Sequence, residues 1–364
     1  MYYLALIVLV FTALRLLTAL SNLVLRQWLH EGNPVTEEKV SILIPARNEE
    51  KNIGQLLESI ISQEYQNWEA IVYDDLSEDQ TASTVSNFAT KDKRIRLMKG
   101  EGLPEGWRGK NRGCHILAQE AQGAWLLFLD ADATVGKHLL SDAIAHMQKY
   151  RLQLLSIFPF QIMKSFGEKV TVPLMHWVLV SLLPLILTRK TRMPSLSAAN
   201  GQFMLFEAST YHRFRFHEKM RAYATEDIVI SRYMKRQGLK IHTLLSRDQV
   251  RCRMYHSFRE AAHGFARTMI AFFGGNITLT LLYTLITTFG VIPVWLSLGM
   301  PATISYLVAT LMIRILVSLA AKQNVLFNFA TAPVQQLAFF AISILAINNK
   351  IRKKTSWKGR LVEN

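Results

Sequence analysis

The segment KVSILIPARNEEKNIGQLLESIIS, residues 39–62, predicts the start of an α/β fold. Its first part, 39–45, is a short apolar run with β-branched residues and a closing proline, which indicates a buried strand. We expect Glu49 and Glu50 in the first turn of a following helix, where the positive end of the helix dipole favours acids. The apolar residues of that helix recur at the spacing of one buried face: Ile53, Leu56, Leu57, Ile60 and Ile61.

The alternation of strand and helix continues along the chain. Four further apolar runs predict strands, at 68–75, 94–98, 124–132 and 152–158. Between them, 81–89 and 109–121 have the composition of helices. This order predicts a mostly parallel, Rossmann-like sheet with helices on both faces. Ligands of such sheets bind beyond the carboxyl ends of the strands, and the polar clusters of this sequence lie there.

Paired acids follow two of the predicted strands. Asp74 and Asp75 end the second strand, where an ordinary turn is an equally good interpretation. Asp130 and Asp132 end the strand AWLLFLD, and residues two apart on a strand project to the same face. Two adjacent carboxylates repel each other unless a cation joins them, so we predict Mg²⁺ or Mn²⁺ there, with a solvated turn as the alternative.

A third acidic cluster, Thr225-Glu226-Asp227, precedes the helical run IVISRYMKRQG. Thr225 is a suitable N-cap residue for that helix. The two acids have two interpretations. They are capping acids of an ordinary helix, or one of them accepts a proton from an acceptor hydroxyl.

Together these motifs resemble the family 2 glycosyltransferases with the GT-A fold. The resemblance is carried, in order, by PARNEE, DDLS, the GK of RGKNRGC, DAD and TED, and it covers roughly 38–240. The apolar segments and the sequence WKGR at 357–360 resemble more narrowly the bacterial members that glycosylate lipids or carotenoid acids, such as the diaponeurosporenoate glycosyltransferases. The resemblance implies a nucleotide diphosphate sugar as donor, a UDP-sugar by preference, and a lipid-like acceptor.

The resemblance also assigns roles to residues on the donor side. It implies that Pro45, Arg47 and Glu49 line the nucleoside pocket and that Asp74 or Asp75 binds the uracil edge. Lys110 and Asp130 then lie near the nucleotide and its ribose, and Asp132 is the main metal ligand.

On the acceptor side, the resemblance makes Asp227 the catalytic base, with Glu226 and Arg232 as supporting neighbours. It implies that Gly201 and Gln202 contact the sugar or the acceptor. A single displacement by the deprotonated acceptor inverts the anomeric configuration, while the metal stabilises the departing diphosphate.

One departure from the family concerns the motif QxxRW of its processive members. The corresponding stretch, 249–258, reads QVRCRMYHSF and lacks the motif, although Arg253 and Tyr255 occupy the neighbourhood. We therefore expect one sugar per acceptor. A polysaccharide synthase and a polyprenyl-phosphate glycosyltransferase are the rival enzymes. An amphipathic helix at the membrane, within a membrane-proximal segment at 251–276, is an equally good interpretation of the basic-aromatic run.

The apolar segments predict the remaining organisation. Residues 1–26 form an uncleaved membrane anchor, and 37–250 form the catalytic domain. The part 277–348 contains three apolar stretches, at about 277–299, 301–321 and 328–347, and a basic tail follows at 349–364. Within the domain, 170–187 predicts a helix in the membrane interface, with a further span as the alternative.

Charged residues in and after the apolar segments indicate how these segments lie relative to the membrane. Arg15 and Arg314 lie inside apolar stretches and face either a bundle interior or, by snorkelling, the nearby interface. We expect a multi-pass inner-membrane protein with a cytoplasmic catalytic domain. Because three C-terminal spans would put the basic tail outside, we expect one of them not to cross fully.

The composition agrees with a membrane protein. Hydrophobic residues make up 50% of the chain and charged residues 19%, which is a high apolar share. The formal net charge of +15 suits nucleic acid or an anionic membrane surface. The basic residues adjoin apolar segments, as in TRKTR and KIRKK, and no nucleic-acid motif is present. We therefore expect no nucleic-acid partner, and the two cysteines, Cys114 and Cys252, predict no disulfide framework or zinc site.

Overall fold

The computed structural model describes residues 1–352, 356–357 and 360–361. The chain forms two compact units. The helical unit comprises Met1–Gln27, Met163–Pro184 and Met254–Asn364, and the sheet unit comprises Trp28–Ile162 and Leu185–Arg253. The domain predicted at 37–250 is thus interrupted by a segment that packs with the terminal helices.

The strands of the sheet unit are β1 Val40–Ala46, β2 Trp68–Asp74, β3 Ile95–Lys99, β4 Trp125–Leu129, β5 Ala133–Val135, β6 Leu154–Phe158, β7 Phe160–Gln161, β8 Phe203–Glu207, β9 Ile241–Leu245 and β10 Val250–Cys252. Among the described residues, seven of them form the main sheet in the order β3-β2-β1-β4-β8-β6-β9. Neighbouring strands pair in parallel except at β8, which runs antiparallel to β4 and β6. The prediction of a mostly parallel α/β sheet is confirmed.

Alternation along β1 produces the two core faces of this sheet. Ile42 and Ile44 are buried on one face, and Leu43 is buried on the other. The helix Ile53–Ile61 contributes Ile53, Leu56, Leu57 and Ile60 to the first core. The helix Gly109–Glu120 contributes Cys114 and Leu117 to the second. The sheet is therefore covered on both sides, as predicted.

The loop after β1 differs from the sequence prediction. The helix begins at Ile53 with Asn52 as N-cap, so Glu49 and Glu50 precede the helix and do not lie in its first turn. The reason is that tertiary partners hold the loop backbone. The Asn48 N–H donates to Ser77 Oγ at 2.9 Å, and the Glu49 N–H donates to Thr81 Oγ1 at 2.8 Å. Both acids are thus kept at the carboxyl end of β1.

The remaining helices of the sheet unit are Thr81–Lys91, Leu139–Tyr150, Ile186–Lys190, Ala208–Phe214, Phe216–Lys219 and Glu226–Arg236, with a 3₁₀ turn at Pro194–Leu196. A small second sheet of three strands joins β5, β10 and β7. In it, Cys252 pairs with Ala133 and with Gln161. The start of the predicted amphipathic segment is therefore a strand, and the helix that follows begins only at Phe258.

The helical unit contains the helices Tyr2–Val24, Phe166–Thr171, Pro173–Leu182, Phe258–Phe272, Ile277–Phe289, Val291–Ala320, Val325–Ala330 and Ala332–Ile351. Three stretches of the described residues are long and apolar enough to cross a membrane: Tyr2–Val24, Ile277–Ala320 and Ala332–Ile351.

The second of these stretches reverses direction at Gly299, whose φ of 75° breaks the helix. A Cβ on Gly290 would lie 2.9 Å from Tyr306 Oη. Sixteen residues of unbroken helix would separate the two positions by about 24 Å. The chain therefore forms a helical hairpin here, which agrees with the separate apolar stretches predicted before and after residue 300.

The apolar run at 170–187 forms no continuous helix. It is divided between Phe166–Thr171, Pro173–Leu182 and Ile186–Lys190. The longest of these rises about 15 Å, half of a bilayer core, so it is too short to be a further span. Its location in the membrane interface stays a prediction.

Both interior arginines are enclosed by the helical unit. The exposed fraction of Arg15 is 4% and that of Arg314 is 6%. They face the bundle interior, and the snorkelling alternative is wrong for both. The predicted basic tail lies mostly outside the described residues, where only the backbone pairing of Ser356–Trp357 with Arg360–Leu361 is described.

A close backbone approach before β4 gives a test of this fold. A Cβ on Gly123 would lie 2.6 Å from the Ser41 backbone nitrogen and 2.7 Å from the Lys39 carbonyl oxygen. We expect Gly123→Ala to destabilise the protein by roughly 1–3 kcal/mol, because the backbone of β1 has to shift. The measurement is thermal unfolding of the detergent-solubilised chain.

Gly136→Ala is the matched control, because its Cβ would meet nothing closer than 3.5 Å. Equal unfolding midpoints for the two variants would contradict the packing of Gly123 against β1.

Candidate active site

The carboxyl ends of the parallel strands gather the acids that the sequence singled out. Asp74 ends β2, and Asp130 follows β4 directly. Because β8 runs antiparallel, its beginning lies at the same edge, next to the end of β4. The residues before it, Gly201 and Gln202, are thereby brought to Asp130, whose N–H donates to the Gln202 carbonyl at 3.4 Å.

Lys110 lies at the centre of these groups. Its Nζ is 2.7 Å from Asp130 Oδ1 and 3.3 Å from Glu226 Oε1. The same ammonium donates to the Gly201 carbonyl oxygen at 3.3 Å. One cation thus joins residues from β4, from the helix Glu226–Arg236 and from the turn before β8.

The helix that carries Lys110 is fixed to the segment before Glu226. The Arg108 N–H donates to the Arg221 carbonyl at 2.9 Å. The Asn111 amide donates to the carbonyls of Met220, at 2.9 Å, and Tyr223, at 3.0 Å. Asn111 is almost fully buried, so these bonds replace the water that its amide loses. The sequence analysis did not identify Asn111, because only the tertiary fold supplies its acceptors.

Asp227 lies at the start of the helix Glu226–Arg236. Its Oδ2 accepts the Gly201 N–H at 3.0 Å, and its Oδ1 accepts the Ile228 N–H at 2.8 Å. Thr225 holds the N-cap position without a side-chain capping bond. The carboxylate of Asp227 therefore stabilises the first turn and also faces the site, so the two interpretations of this cluster are combined in one residue.

Gly201 is the glycine that this arrangement requires. A Cβ at this position would lie 2.8 Å from Lys110 Nζ and 3.2 Å from Glu226 Oε1. Any side chain here would displace the ammonium from its carboxylates.

Burial perturbs the ionisation of these groups. It raises the pKa values of Asp130, Glu226 and Asp227 above their ordinary values, and the nearby Lys110 opposes that shift. Burial lowers the pKa of Lys110, but Asp130 and Glu226 together raise it well above its usual range. The ammonium therefore stays charged and the cluster holds more carboxylates than cations.

Asp132 lies beside this cluster. Burial, followed by the charges of Asp130 and Glu49, raises the pKa of Asp132 to about 6. Its Oδ1 is buried and has no hydrogen-bond partner among the described residues. The Oε1 of Gln202 is likewise buried and unpaired in the described part of the chain. Two oxygen acceptors are thus available next to a surplus of negative charge.

A divalent cation fits these groups. In residues 1–352 there is no cluster of three His, Cys, Asp or Glu side chains spaced to hold a metal. Mg²⁺ needs no such cluster, because it is commonly bound by one or two carboxylates together with substrate phosphates and water. The unpaired Oδ1 of Asp132 is the oxygen that a cation would satisfy.

Cys252 is a neighbour that the sequence analysis missed. The Gln202 amide donates to Cys252 Sγ at 2.7 Å, and Asp132 also interacts with this thiol. The pairing of β10 with β5 produces this proximity. The chain position of Cys252, 120 residues after Asp132, gives no signal of it.

At the same carboxyl edge of the main sheet, on one side of β4, the ends of β1 and β2 and the loops after them contain the remaining predicted donor-side residues. Arg47 Nη1 donates to the Asp75 carbonyl oxygen at 2.7 Å and lies 4.0 Å from Asp75 Oδ2. The Oδ1 of the buried Asp74 has no partner among the described side chains and backbone groups. Pro45 lies next to Gly113, where a Cβ would be 3.4 Å from the proline Cβ.

Two of the predicted site residues lie at the margin of this arrangement. Arg232 lies in the helix Glu226–Arg236, and burial and then Arg236 lower its pKa. Arg253 directly follows Cys252 at the end of the sheet unit. The supporting roles of both arginines stay predictions.

The comparison with known families agrees with this geometry. Residues 41–214 match the family described as glycosyl transferase family 2. This match spans just under half of the chain. The matched residues include β1, β2 and the acids after β4, and they end before the helix that begins at Glu226.

Two curated relatives of this chain bear the same name. The chain is 27% identical over 236 residues to the 4,4'-diaponeurosporenoate glycosyltransferase of Staphylococcus haemolyticus (strain JCSC1435), covering 64% of this chain and 61% of the relative. It is 38% identical over 135 residues to the enzyme of that name from Staphylococcus aureus (strain MRSA252), covering 35% and 34%. The chain thus aligns with less than two thirds of each relative.

Among solved structures, the chain resembles the mannosyltransferase PcManGT from Pyrobaculum calidifontis in complex with GDP-Man and Mn²⁺. The TM-score is 0.58 at 16% identity, over 95% of this chain and 99% of the other. At this identity the likeness concerns the fold. The predicted resemblance to the family 2 glycosyltransferases and the GT-A type of fold are confirmed, and the roles of single residues stay predictions.

The dependence of the cluster on Lys110 can be measured. Lys110→Met leaves the carboxylates of Asp130 and Glu226 without their cation. We expect a loss of roughly 2–4 kcal/mol of stability, below the full value for a wholly buried pair because the site is partly open. The midpoint of chemical unfolding in detergent reports it.

Lys137→Met serves as the control, since Lys137 pairs with Glu64 on the surface at 3.0 Å. An exposed pair contributes about 0–1 kcal/mol. Unchanged stability of Lys110→Met would show that the ammonium does not hold these elements together.

Proposed function

We propose that this protein transfers one sugar from a nucleotide diphosphate sugar, by preference a UDP-sugar, to a lipid-like acceptor, with inversion at the anomeric carbon. The observation that carries the proposal is the cluster of Lys110, Asp130, Glu226 and Asp227 at the carboxyl edge of the sheet, with Asp132 beside it. It combines a positive group for phosphate oxygens, an unpaired carboxylate oxygen for a cation and a carboxylate fixed by two N–H groups.

On the donor side, Pro45, Arg47 and Glu49 would line the nucleoside pocket together with Asp74 or Asp75. The contact of Arg47 with Asp75 holds the loops after β1 and β2 against each other, which gives a nucleoside a rigid wall. Lys110 and Asp130 would adjoin the nucleotide and its ribose. The solved mannosyltransferase of similar fold holds GDP-Man and Mn²⁺.

Asp132 would bind a divalent cation, Mg²⁺ or Mn²⁺, with its unpaired Oδ1. When bound, such a cation stabilises negative charge on the departing diphosphate. Lys110 contributes a fixed positive charge at the same edge, where it needs no reorganisation during the reaction.

Asp227 would accept the acceptor proton. Its carboxylate is oriented by the Gly201 and Ile228 N–H groups, and burial raises its pKa. A raised pKa makes a carboxylate a stronger base. Glu226 would hold Lys110, and Gly201 and Gln202 would contact the sugar or the acceptor. An acceptor hydroxyl needs this base, whereas an already ionised carboxylate acceptor needs it little.

The acceptor side of the proposal combines two observations. The described helices include stretches long and apolar enough to cross a membrane. The curated relatives are named for diaponeurosporenoate, so a carotenoid acid is the first acceptor to test. We place the protein in the inner membrane with the sheet unit in the cytoplasm. The missing QxxRW motif favours one sugar per acceptor over a polymer.

The test is an activity screen of the full chain in detergent. It combines a panel of UDP- and GDP-sugars with extracted membrane lipids and with a carotenoid acid. We expect release of the nucleoside diphosphate coupled to a singly glycosylated lipid, identified by mass spectrometry. A polymeric product, or release of nucleotide without a glycosylated lipid, would contradict the proposal.

The metal assignment has its own test. Asp132→Ala should abolish metal-dependent transfer while the protein still folds, because the unpaired Oδ1 that meets the cation is gone. Asp248→Ala, which removes an exposed acid paired with Arg251, is the control. Full activity of Asp132→Ala in the presence of a chelator would refute the metal hypothesis.

Asp227→Asn tests the base. Asparagine keeps the shape of the side chain but takes up no proton, so transfer to a hydroxyl acceptor should fall by roughly two to four orders of magnitude. Nucleoside diphosphate affinity, measured on the same sample, should stay near that of the parent. Near-normal transfer to a hydroxyl acceptor would retire the assignment.

A further inference from the structure

The helical unit encloses two guanidinium groups next to one indole ring. The Cζ atoms of Arg15 and Arg314 lie 4.5 Å and 4.6 Å from the centroid of the Trp177 ring. Both arginines are more than nine-tenths buried. Two like charges thus share the surface of one aromatic side chain inside a bundle of apolar helices.

The groups that accept hydrogen bonds from these arginines are neutral. Arg15 donates from Nε and Nη2 to Ser181 Oγ at 3.1 Å and 2.9 Å. Arg314 donates to Gln335 Oε1 at 2.6 Å and to Gln336 Oε1 at 3.2 Å. Within the part of the chain that the structure describes, neither arginine forms an ion pair with a carboxylate.

The sequence explains why no carboxylate is near. Residues 1–30 and 261–362 contain no aspartate or glutamate. Among the described residues of the helical unit, the remaining acids are Glu168 and Glu260. The buried Glu168 accepts bonds from the N–H and the hydroxyl of Ser165 in a capping box, and the exposed Glu260 accepts the His256 N–H at 2.8 Å. The positive charge of the two arginines is therefore not neutralised by the helices that surround them.

A small polar cavity adjoins Arg314. Its volume is about 10 Å³, the space of roughly one water-sized sphere. Besides Arg314 and Trp177, its polar lining consists of Ser318, Gln323, Asn328 and Gln335. Asn328 donates to Ser318 Oγ at 2.8 Å and accepts from the Gln335 amide at 2.9 Å. These bonds direct the Gln335 carbonyl oxygen toward Arg314.

The two buried guanidinium groups therefore favour the binding of an anion. An ionised side chain among apolar helices is costly, and it normally pairs with an opposite charge or a substrate group. Two cations near one ring also repel each other. An oxyanion would relieve both effects and accept the guanidinium N–H groups, which form their strongest hydrogen bonds with carboxylate and phosphate.

We propose that Arg314, with Arg15 as a second positive charge beside Trp177, binds the oxyanion of an acidic membrane lipid, with one of its oxygens in the cavity beside Gln335. The apolar surface around the site indicates that the oxyanion belongs to a lipid. The same helices expose large apolar side chains, among them Leu17, Leu337 and Ile344. A ligand that arrives over such a surface needs an apolar chain as well as a charged group. Phosphate and carboxylate headgroups share this chemistry.

This site goes beyond the proposed function. It lies wholly within the helical unit, and its occupation requires neither donor nor sugar transfer. Lipid binding is therefore measured without nucleotide, so its failure and the failure of the proposed transfer are separate results.

The experiment is native mass spectrometry of the full chain in detergent, titrated with phosphatidylglycerol and, separately, with phosphatidylcholine. We expect the chain to bind the anionic lipid at least about tenfold more tightly, the scale of one charge-assisted contact. Arg314→Gln should remove this preference. Arg352→Gln, which removes an exposed charge from the same unit, should keep it. Equal affinity for both lipids would overturn the proposal.

Two further measurements use the unaltered chain, so their results do not depend on whether a variant folds. With the unaltered chain, oleate should raise the unfolding midpoint, whereas methyl oleate, which lacks the charge, should not. Inorganic phosphate at the same concentration should not compete with phosphatidylglycerol, because it has no apolar chain. Equal effects of oleate and its methyl ester, or displacement by inorganic phosphate, would contradict a lipid oxyanion site.

Discussion

The ammonium of Lys110 lies between carboxylates that the chain supplies from distant positions. Asp130 follows β4, and Glu226 begins a helix almost a hundred residues later, yet both lie within 3.3 Å of the same Nζ. Without this cation the buried acids would repel each other and the first turn of that helix would lose its partner. A side chain at position 201 would press against this ammonium, because its Cβ would lie 2.8 Å from Lys110 Nζ.

The antiparallel strand β8 makes this cluster possible. A wholly parallel sheet would place the start of β8 at the opposite edge, far from the acids after β4. The reversed strand instead brings Gly201 and Gln202 beside Asp130. The small sheet of β5, β10 and β7 then adds Cys252 next to Asp132. The antiparallel strand β8 and the small second sheet thus bring the residues of the candidate site together.

The helical unit follows a different physical rule. Its polar groups are bonded to one another, and its two buried arginines surround Trp177 without a carboxylate. At the carboxyl edge of the main sheet, Asp130, Glu226 and Asp227 outnumber the single ammonium of Lys110, whereas the two guanidinium groups beside Trp177 have no carboxylate partner among the described residues. For each excess of charge we propose a ligand of opposite charge, a metal ion at the first site and a lipid oxyanion at the second.

The sequence alone determined the α/β alternation, the acids at the strand ends and the resemblance to the family 2 glycosyltransferases, because hydrophobic periodicity and contiguous motifs are local properties of the chain. It misplaced the helix start at Glu49 and Glu50, where bonds from Ser77 and Thr81 hold the loop. It left open whether Arg15 and Arg314 snorkel, and whether Asp227 caps a helix or faces the site. Only the tertiary structure decided these points and brought Asn111 and Cys252 into the site, because their partners lie far away in the sequence and become neighbours through strand pairing and helix packing.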